Sequence, residues 1–257
     1  MDHKSVKEIE ALLNTNPAEQ ILDLLRSDAR KGVQRLVKQY ERALEEQEKL
    51  MKKFDFMTVH ERELWAKGYK YIAGIDEVGR GPLAGPVVTA AVILPRNTKL
   101  YGLDDSKKLT EKKREELFYL IEEEALAIGV GVASPSKIDE LNIYQATKWA
   151  MVQAVEKLSM NPDHLLIDAM ELPLSIPSRS IVKGDSSSIS IAAASIVAKV
   201  TRDRMMKQLG REYPQYGFEK HMGYPTKEHI EAIERCGIIE AHRKSFAPVK
   251  GKLTHKG

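Results

Sequence analysis

At 257 residues, 42% hydrophobic and 30% charged, the chain can hold one sizeable domain plus an accessory segment, and its composition excludes a disordered, collagenous or disulfide-built protein. A formal net charge of +3 and a pI near 8.7 are compatible with a nucleic-acid partner without requiring one. The single cysteine, Cys236, rules out an intrachain disulfide and suits a reducing compartment.

The opening residues Met1-Asp2-His3-Lys4 carry no apolar leader, and no run approaches the roughly 18 uncharged apolar residues of a membrane span. A cytoplasmic protein is expected. The first 60-odd residues read as helices. Ser5 with Glu8 forms a capping-box pattern, Asn16-Pro17 restarts a helix, and Val33, Leu36, Val37, Tyr40 and Leu44 recur at helical spacing. Thr58 with Glu61 reads as a second capping box. Both charge signs are abundant here, so the segment is equally compatible with docking on the body, contacting nucleic acid or binding a partner protein.

The character changes at Lys67-Gly68, which sets an expected helical extension at 1–68 against a domain at 69–257. Residues 69–76 and 87–94 are β-branched, aromatic and almost uncharged, and read as two strands. Thr110 caps a charged amphipathic helix to about Ala125; residues 128–133, with alternating glycines, form a short strand; Ser136 and Asp139 open further helix. Strands follow at 164–168 and 180–183, then a long helix from about Ser187 to Leu209, and a last one from Thr226 to Gly237. Helices alternating with strands predict an α/β body with a mixed sheet.

Charged residues inside apolar strands carry the information, because an unpaired buried carboxylate is costly. Asp76 and Glu77 end the first strand, Asp168 ends the run Leu165-Leu166-Ile167, and Asp185 lies between a strand and a helix. Alone, Asp168 reads equally as a strand-end cap and Asp185 as a helix cap. Together, acids of one sign at three strand ends need a common counter-charge, which a hard divalent cation supplies; oxygen donors select Mg²⁺ or Mn²⁺ over zinc. With no cysteine nucleophile and no serine–histidine triad, the pattern points to metal-assisted displacement at phosphorus.

After these acids comes Gly79-Arg80-Gly81-Pro82-Leu83-Ala84-Gly85-Pro86. A dinucleotide-binding reading fails, since Pro82 and Pro86 break the required helix and the acids would repel a pyrophosphate. The glycines instead permit close backbone approach to a ligand, and Arg80 offers a phosphate-matching fork or is simply exposed. Ser187, Ser188, Ala192, Ala193, Ala194 and Ser195 make a small-residue helix surface suited to packing on the sheet. Lys199, Arg202 and Arg204 suit phosphates or a solvated helix end equally. In the loop from His221 to Thr226, Tyr224 either stacks on a sugar or base or packs internally.

Taken together, these motifs resemble the ribonuclease HII family, the type 2 ribonucleases H. The resemblance is carried by the run 74–86, by Asp105-Ser106-Lys107-Lys108-Leu109, by Ile167-Asp168, by Lys183-Gly184-Asp185 and by the run 191–203. It implies an RNase H-like fold with a five-stranded mixed sheet flanked by helices, after an N-terminal helical extension. It also implies cleavage of RNA in RNA–DNA hybrid duplexes and at single ribonucleotides in DNA, by two metal ions, leaving 3′-hydroxyl and 5′-phosphate ends. The implied ligands of Mg²⁺ or Mn²⁺ are Asp76, Glu77, Asp168 and Asp185. The implied substrate contacts are Gly79, Arg80, Gly81, Ser106, Lys107, Lys183 and Tyr224, with the glycine–arginine–glycine loop sensing the 2′-hydroxyl. A monomer without a membrane partner is expected. Arg80 between two glycines and an aspartate as the fourth acid favour type HII over the related ribonuclease HIII group.

Overall fold

The computed structural model describes residues 4–253; Met1-Asp2-His3, on which the leader expectation rests, lie outside them. The chain divides into two compact units, at residues 1–53 and 54–257. In the first, α1 (Val6–Leu13), α2 (Glu19–Arg26) and the start of α3 (Lys31–Met57) bury Ile9, Leu13, Leu22, Leu25, Val33 and Val37 against one another. The capping box at Ser5 and Glu8 forms as expected. Asn16-Pro17 does not start the second helix: Asn16 takes a left-handed φ of 53°, and the N-cap falls on Ala18.

The second unit is built on five strands: β1 (Ile72–Val78), β2 (Val87–Ile93), β3 (Ala127–Ala133), β4 (His164–Asp168) and β5 (Ser178–Ile181). Their order across the sheet is β3-β2-β1-β4-β5. The pairs β1–β2 and β2–β3 are antiparallel, whereas β1–β4 and β4–β5 are parallel. The expected five-stranded mixed sheet is therefore present. The turn after β1 returns directly to its antiparallel neighbour β2, so no helix follows the glycines and the dinucleotide-binding alternative is excluded.

The helices of this unit are α4 (Val59–Ala66), α5 (Glu111–Glu124), α6 (Pro135–Leu141), α7 (Ile143–Glu156), α8 (Ile189–Glu212), α9 (Phe218–His221), α10 (Lys227–Cys236) and α11 (Val249–Leu253). Two of them cover the sheet. Val88, Ala90 and Val92 of β2 pack with the alanine-rich start of α8, while Ala91 and Ile93 pack with Met151 and Val155 of α7. Since alternate residues of a strand face opposite sides, α8 and α7 lie on opposite faces. The alternating glycines of β3 are explained by α7. A Cβ on Gly131 would lie 1.9 Å from the Ala150 carbonyl oxygen, and one on Gly129 2.0 Å from that of Ala154.

Two helix starts differ from expectation. Ser134, not Ser136, caps α6, with Pro135 in its first turn; Asp139 instead accepts the backbone N–H groups of Lys244 and Ser245 at 2.9 and 2.8 Å. The Thr58–Glu61 capping box does not form. Thr58 donates its hydroxyl to the Phe54 carbonyl, and Glu61 is buried, where Oε1 accepts the Ser188 hydroxyl at 2.5 Å and the Ser190 N–H at 3.0 Å. The carboxyl thus ties α4 to the start of α8, and burial pushes its pKa up. No helix among the described residues is long and apolar enough to cross a membrane.

Gly131→Ala should cost about 3 kcal/mol or more, at the upper end of overpacking penalties, because the obstacle is helix backbone and not a movable side chain. Chemical denaturation of the two chains measures it; a loss below about 1 kcal/mol would contradict this packing.

Candidate active site

Alternation and register bring the acids together. Ala73 and Ile75 of β1 join the α7 side of the core, which turns Asp76 toward α8. Ile75 pairs with Ile167 in the parallel β1–β4 ladder, so the next residues, Asp76 and Asp168, stand side by side at neighbouring strand ends. Glu77 follows directly. Ligand oxygens of Asp76, Glu77 and Asp168 all lie within 4.8 Å of one another. Close packing makes this possible. A Cβ on Gly74 would sit 2.0 Å from the Ser190 carbonyl carbon, so glycine lets α8 press onto β1 immediately before the acids.

The electrostatics are unfavourable and shared. Asp76 is 5% exposed, and burial, then the charges of Glu77 and Asp168, raise its pKa well above the usual carboxylate value. The Glu77 N–H, which donates to Asp76 Oδ1 at 2.7 Å, pulls it partly back. Burial also raises Glu77, opposed mainly by the Arg80 guanidinium 3.5 Å away. Asp168 is raised by burial and partly relieved by the Gly184 N–H, which donates to Oδ1 at 2.7 Å.

Asp185 borders this group without joining its tightest set. Burial and the charges of Asp105 and Asp168 raise its pKa, and Lys107 opposes them. The Gly184 amide couples the two loops: it binds Asp168, and the next residue is Asp185 in a short 3₁₀ turn. Lys107 acts on Glu77 and Asp168 as well as Asp185, so one ammonium offsets three of the four acids. Ser106 is buried, and its hydroxyl accepts from Ser195 at 2.8 Å. It buttresses α8 beside Asp76. Lys183 is exposed in a left-handed conformation that starts the turn.

The Gly79–Pro86 loop continues from β1. Gly79 has φ 92°, and a Cβ there would meet the Arg202 Nε at 2.1 Å. Arg80 is exposed, whereas Tyr224 is 42% exposed and reaches Gly81, whose notional Cβ would lie 3.6 Å from the Tyr224 ring. Tyr224 is therefore a surface aromatic beside the loop and not a core residue. Behind it, the buried histidines form an ordered chain. The Ile239 N–H donates to His242 Nδ1 at 3.0 Å, so Nε2 carries the His242 proton and donates to His229 Nε2 at 3.2 Å. His229 then donates from Nδ1 to the Tyr224 carbonyl at 2.9 Å. Burial keeps both rings neutral, holding His242 down at about 4.

The basic trio expected at the end of α8 takes other roles. Arg202 is fully buried and donates to backbone carbonyls, Lys199 pairs with Asp203 at 2.6 Å, and Arg204 pairs with Glu115 at 2.6 Å. Arg202 is neither a phosphate contact nor a solvated helix end; with Arg243 it supports the loop. Sequence reading missed Arg243 as well, since its neighbours His242 and Lys244 give it the look of a surface basic run. It also passed over Asp105, whose charge raises both Asp168 and Asp185. A cavity of about 870 Å³ lies elsewhere, lined by Pro86, Met205, Leu209, Tyr213 and others, and contains none of the acids. The acids take precedence over it as the candidate site, because clustered carboxylates with raised pKa values mark functional chemistry more specifically than a half-open hollow does.

Known proteins resemble this chain in sequence and in fold. The family described as Ribonuclease HII matches residues 73–249, and the Ribonuclease HII N-terminal domain matches residues 5–65. A Ribonuclease HII from Bacillus mycoides is 58% identical over 98% of this chain and 99% of its own, as is one from Bacillus cereus. Among solved structures, the ribonuclease H2 from Pyrococcus horikoshii is 26% identical with a TM-score of 0.63, covering 72% of this chain and 97% of its own. An RNase HIII in complex with Mn²⁺ shares the fold at 22% identity and TM-score 0.56, over 72% of this chain and 70% of its own.

Asp76→Asn should stabilise the metal-free chain. Folded Asp76 keeps its proton to higher pH than unfolded Asp76, so between the two values the folded state binds more protons and stability falls as pH rises. In a chelator at pH 7 the variant should melt higher, by about 2–4 °C per kcal/mol of repulsion relieved. The gain should vanish below the ordinary carboxylate value of 3.8. An unchanged or lower melting temperature at pH 7 would contradict the assigned repulsion.

Proposed function

Because the chain belongs to the ribonuclease HII family and is a metal-dependent endoribonuclease H, we propose that it cuts RNA–DNA hybrids and single ribonucleotides in duplex DNA, using Mg²⁺ or Mn²⁺ held by Asp76, Glu77, Asp168 and Asp185. The observation that carries this reading is the convergence of three carboxylates beside a glycine-rich loop and an exposed tyrosine.

The donor set suits hard divalent ions. It is all oxygen, holds no histidine or cysteine, and its pKa values are raised by burial first and then by neighbouring negative charge. When bound, such ions supply the positive charge that acidifies water and neutralises the phosphate during displacement, giving 3′-hydroxyl and 5′-phosphate ends. The chain's own residues do the rest. Asp76 and Asp168, fixed by the β1–β4 ladder, hold the acidic set in place. Gly184 orients Asp168 and places Asp185 beside it. Lys107 tempers the site's charge and is positioned for the phosphate backbone, as is the exposed Lys183. Backbone amides of Gly79, Arg80 and Gly81 face the ribose, whose 2′-hydroxyl separates RNA from DNA, while Tyr224 packs against the sugar next to it. Residues 1–68 serve as a helical extension of the catalytic domain at 69–257.

Three duplexes test this with the full chain: one ribonucleotide in DNA, a continuous hybrid, and DNA alone, each with Mg²⁺, Mn²⁺ or a chelator. Cleavage of the first two only, on the 5′ side of a ribonucleotide and abolished by chelation, is expected. Asp168→Asn should lower the rate at least about a hundredfold, beyond the 10–100-fold typical of losing a residue that only orients a metal ligand. Comparable cutting of all-DNA duplex, or cleavage restricted to the continuous hybrid, would overturn the proposed substrate range.

A further inference from the structure

The loop that comes after the acids rests on two buried guanidinium groups whose hydrogen bonds run to peptide carbonyls. Arg243 is fully buried; its Nε donates to Gly85 O at 3.0 Å, its Nη1 to Arg80 O at 2.8 Å, and its Nη2 to both Gly79 O and Gly85 O. Arg202, also fully buried, donates to Pro86 O at 2.9 Å, Met222 O at 3.1 Å and Ala84 O at 3.3 Å. Burying two neighbouring cations is costly, and burial with the nearby Arg202 charge holds Arg243 down at about 9. An arrangement this expensive persists only where the surrounding geometry requires it.

The peptide plane shows what that geometry does. In a trans peptide the N–H of one residue points opposite to the C=O of the residue before it. With the carbonyls of Gly79 and Arg80 drawn inward onto Arg243, the amides of Arg80 and Gly81 are turned outward. Among the described residues neither amide donates to an intramolecular acceptor. The same residue anchors the tyrosine side: Arg243 N donates to Leu83 O at 2.8 Å, and Leu83 N donates to Gly223 O at 2.8 Å, one residue before Tyr224. Phe246 supports the guanidinium from its face, 5.0 Å from ring centroid to the guanidinium carbon.

We infer that Arg243 is the positioning residue for ribonucleotide selectivity, aiming the Arg80 and Gly81 amides at the sugar hydroxyl and setting the Tyr224 segment beside them. This rests on the loop role proposed above. Lysine cannot replace it, because a single ammonium lacks the planar fork that reaches three carbonyls at once. A single ribonucleotide in DNA offers one 2′-hydroxyl in one register, so it depends on this loop alone. A continuous hybrid offers a hydroxyl in every register and depends on it less.

The test measures kcat/KM with Mn²⁺ for wild type, Arg243→Lys and Phe246→Leu on the single-ribonucleotide duplex and on the continuous hybrid, with circular dichroism as the check on folding. Arg243→Lys should lose about tenfold more activity on the single ribonucleotide than on the hybrid, the scale of a misplaced but not deleted hydrogen-bonding site. Phe246→Leu, which leaves every loop donor and acceptor intact, should shift the ratio the same way by a smaller factor and keeps the inference testable if the lysine variant fails to fold. Equal losses on both duplexes, or an unchanged ratio in the folded variants, would overturn the inference while leaving the functional reading intact. A wild-type chain that cuts neither duplex would instead overturn the functional reading, and the inference with it.

Discussion

Three carboxylates pressed to within 4.8 Å of each other at the ends of two parallel strands are the constraint around which the rest of this molecule is arranged. Left to themselves they repel, and burial makes that repulsion expensive. Burial first, and at Asp76 and Glu77 the neighbouring charges as well, raises their pKa values, Asp76 well above the usual carboxylate value. The fold resists relaxation by locking both strands into the central ladder and pressing α8 against Gly74. Glu61, drawn from α4, holds the start of that helix through Ser188 and Ser190. A group with this much uncompensated charge is poised to take up divalent cations.

A second polar cluster, of opposite sign, holds the loop that follows the β1 acids. Arg202 and Arg243 are as buried as Asp76, but their charge is spread over peptide carbonyls and not over acids. The two clusters act on consecutive stretches of one chain: the acids end β1, and the arginines grip the Gly79–Pro86 loop immediately after it. The β1 acids and the arginine-held loop are therefore consecutive in the chain, and the neutral chain from His242 through His229 to the Tyr224 carbonyl extends that support to the exposed tyrosine.

Much of this was legible in the sequence because the informative residues break a local pattern. Carboxylates in apolar strands stand out, and so do glycines alternating along β3, whose reason is the α7 backbone lying against them. The five-stranded mixed sheet followed from the resemblance, and strand 164–168 and helix α10 fall where their local signals put them. The buried cations were not legible. Arg202 sits in a charged stretch of helix and Arg243 between a histidine and a lysine, and nothing local separates a buried guanidinium from a solvated one; only the long-range contacts with residues 79–86 do. Glu61 misled for a related reason. Its spacing from Thr58 fits a capping box, yet its partners are 127 and 129 residues away.

Calorimetric titration of the full chain with Mn²⁺ in two buffers of different ionisation enthalpy tests most directly whether burial and neighbouring charge hold these carboxyl groups above their ordinary pKa until cations arrive. Binding should release protons, more at pH 6 than at pH 8, because the ion displaces protons that the raised carboxylates still hold. Binding without proton release at either pH, or no binding at millimolar Mn²⁺, would contradict it.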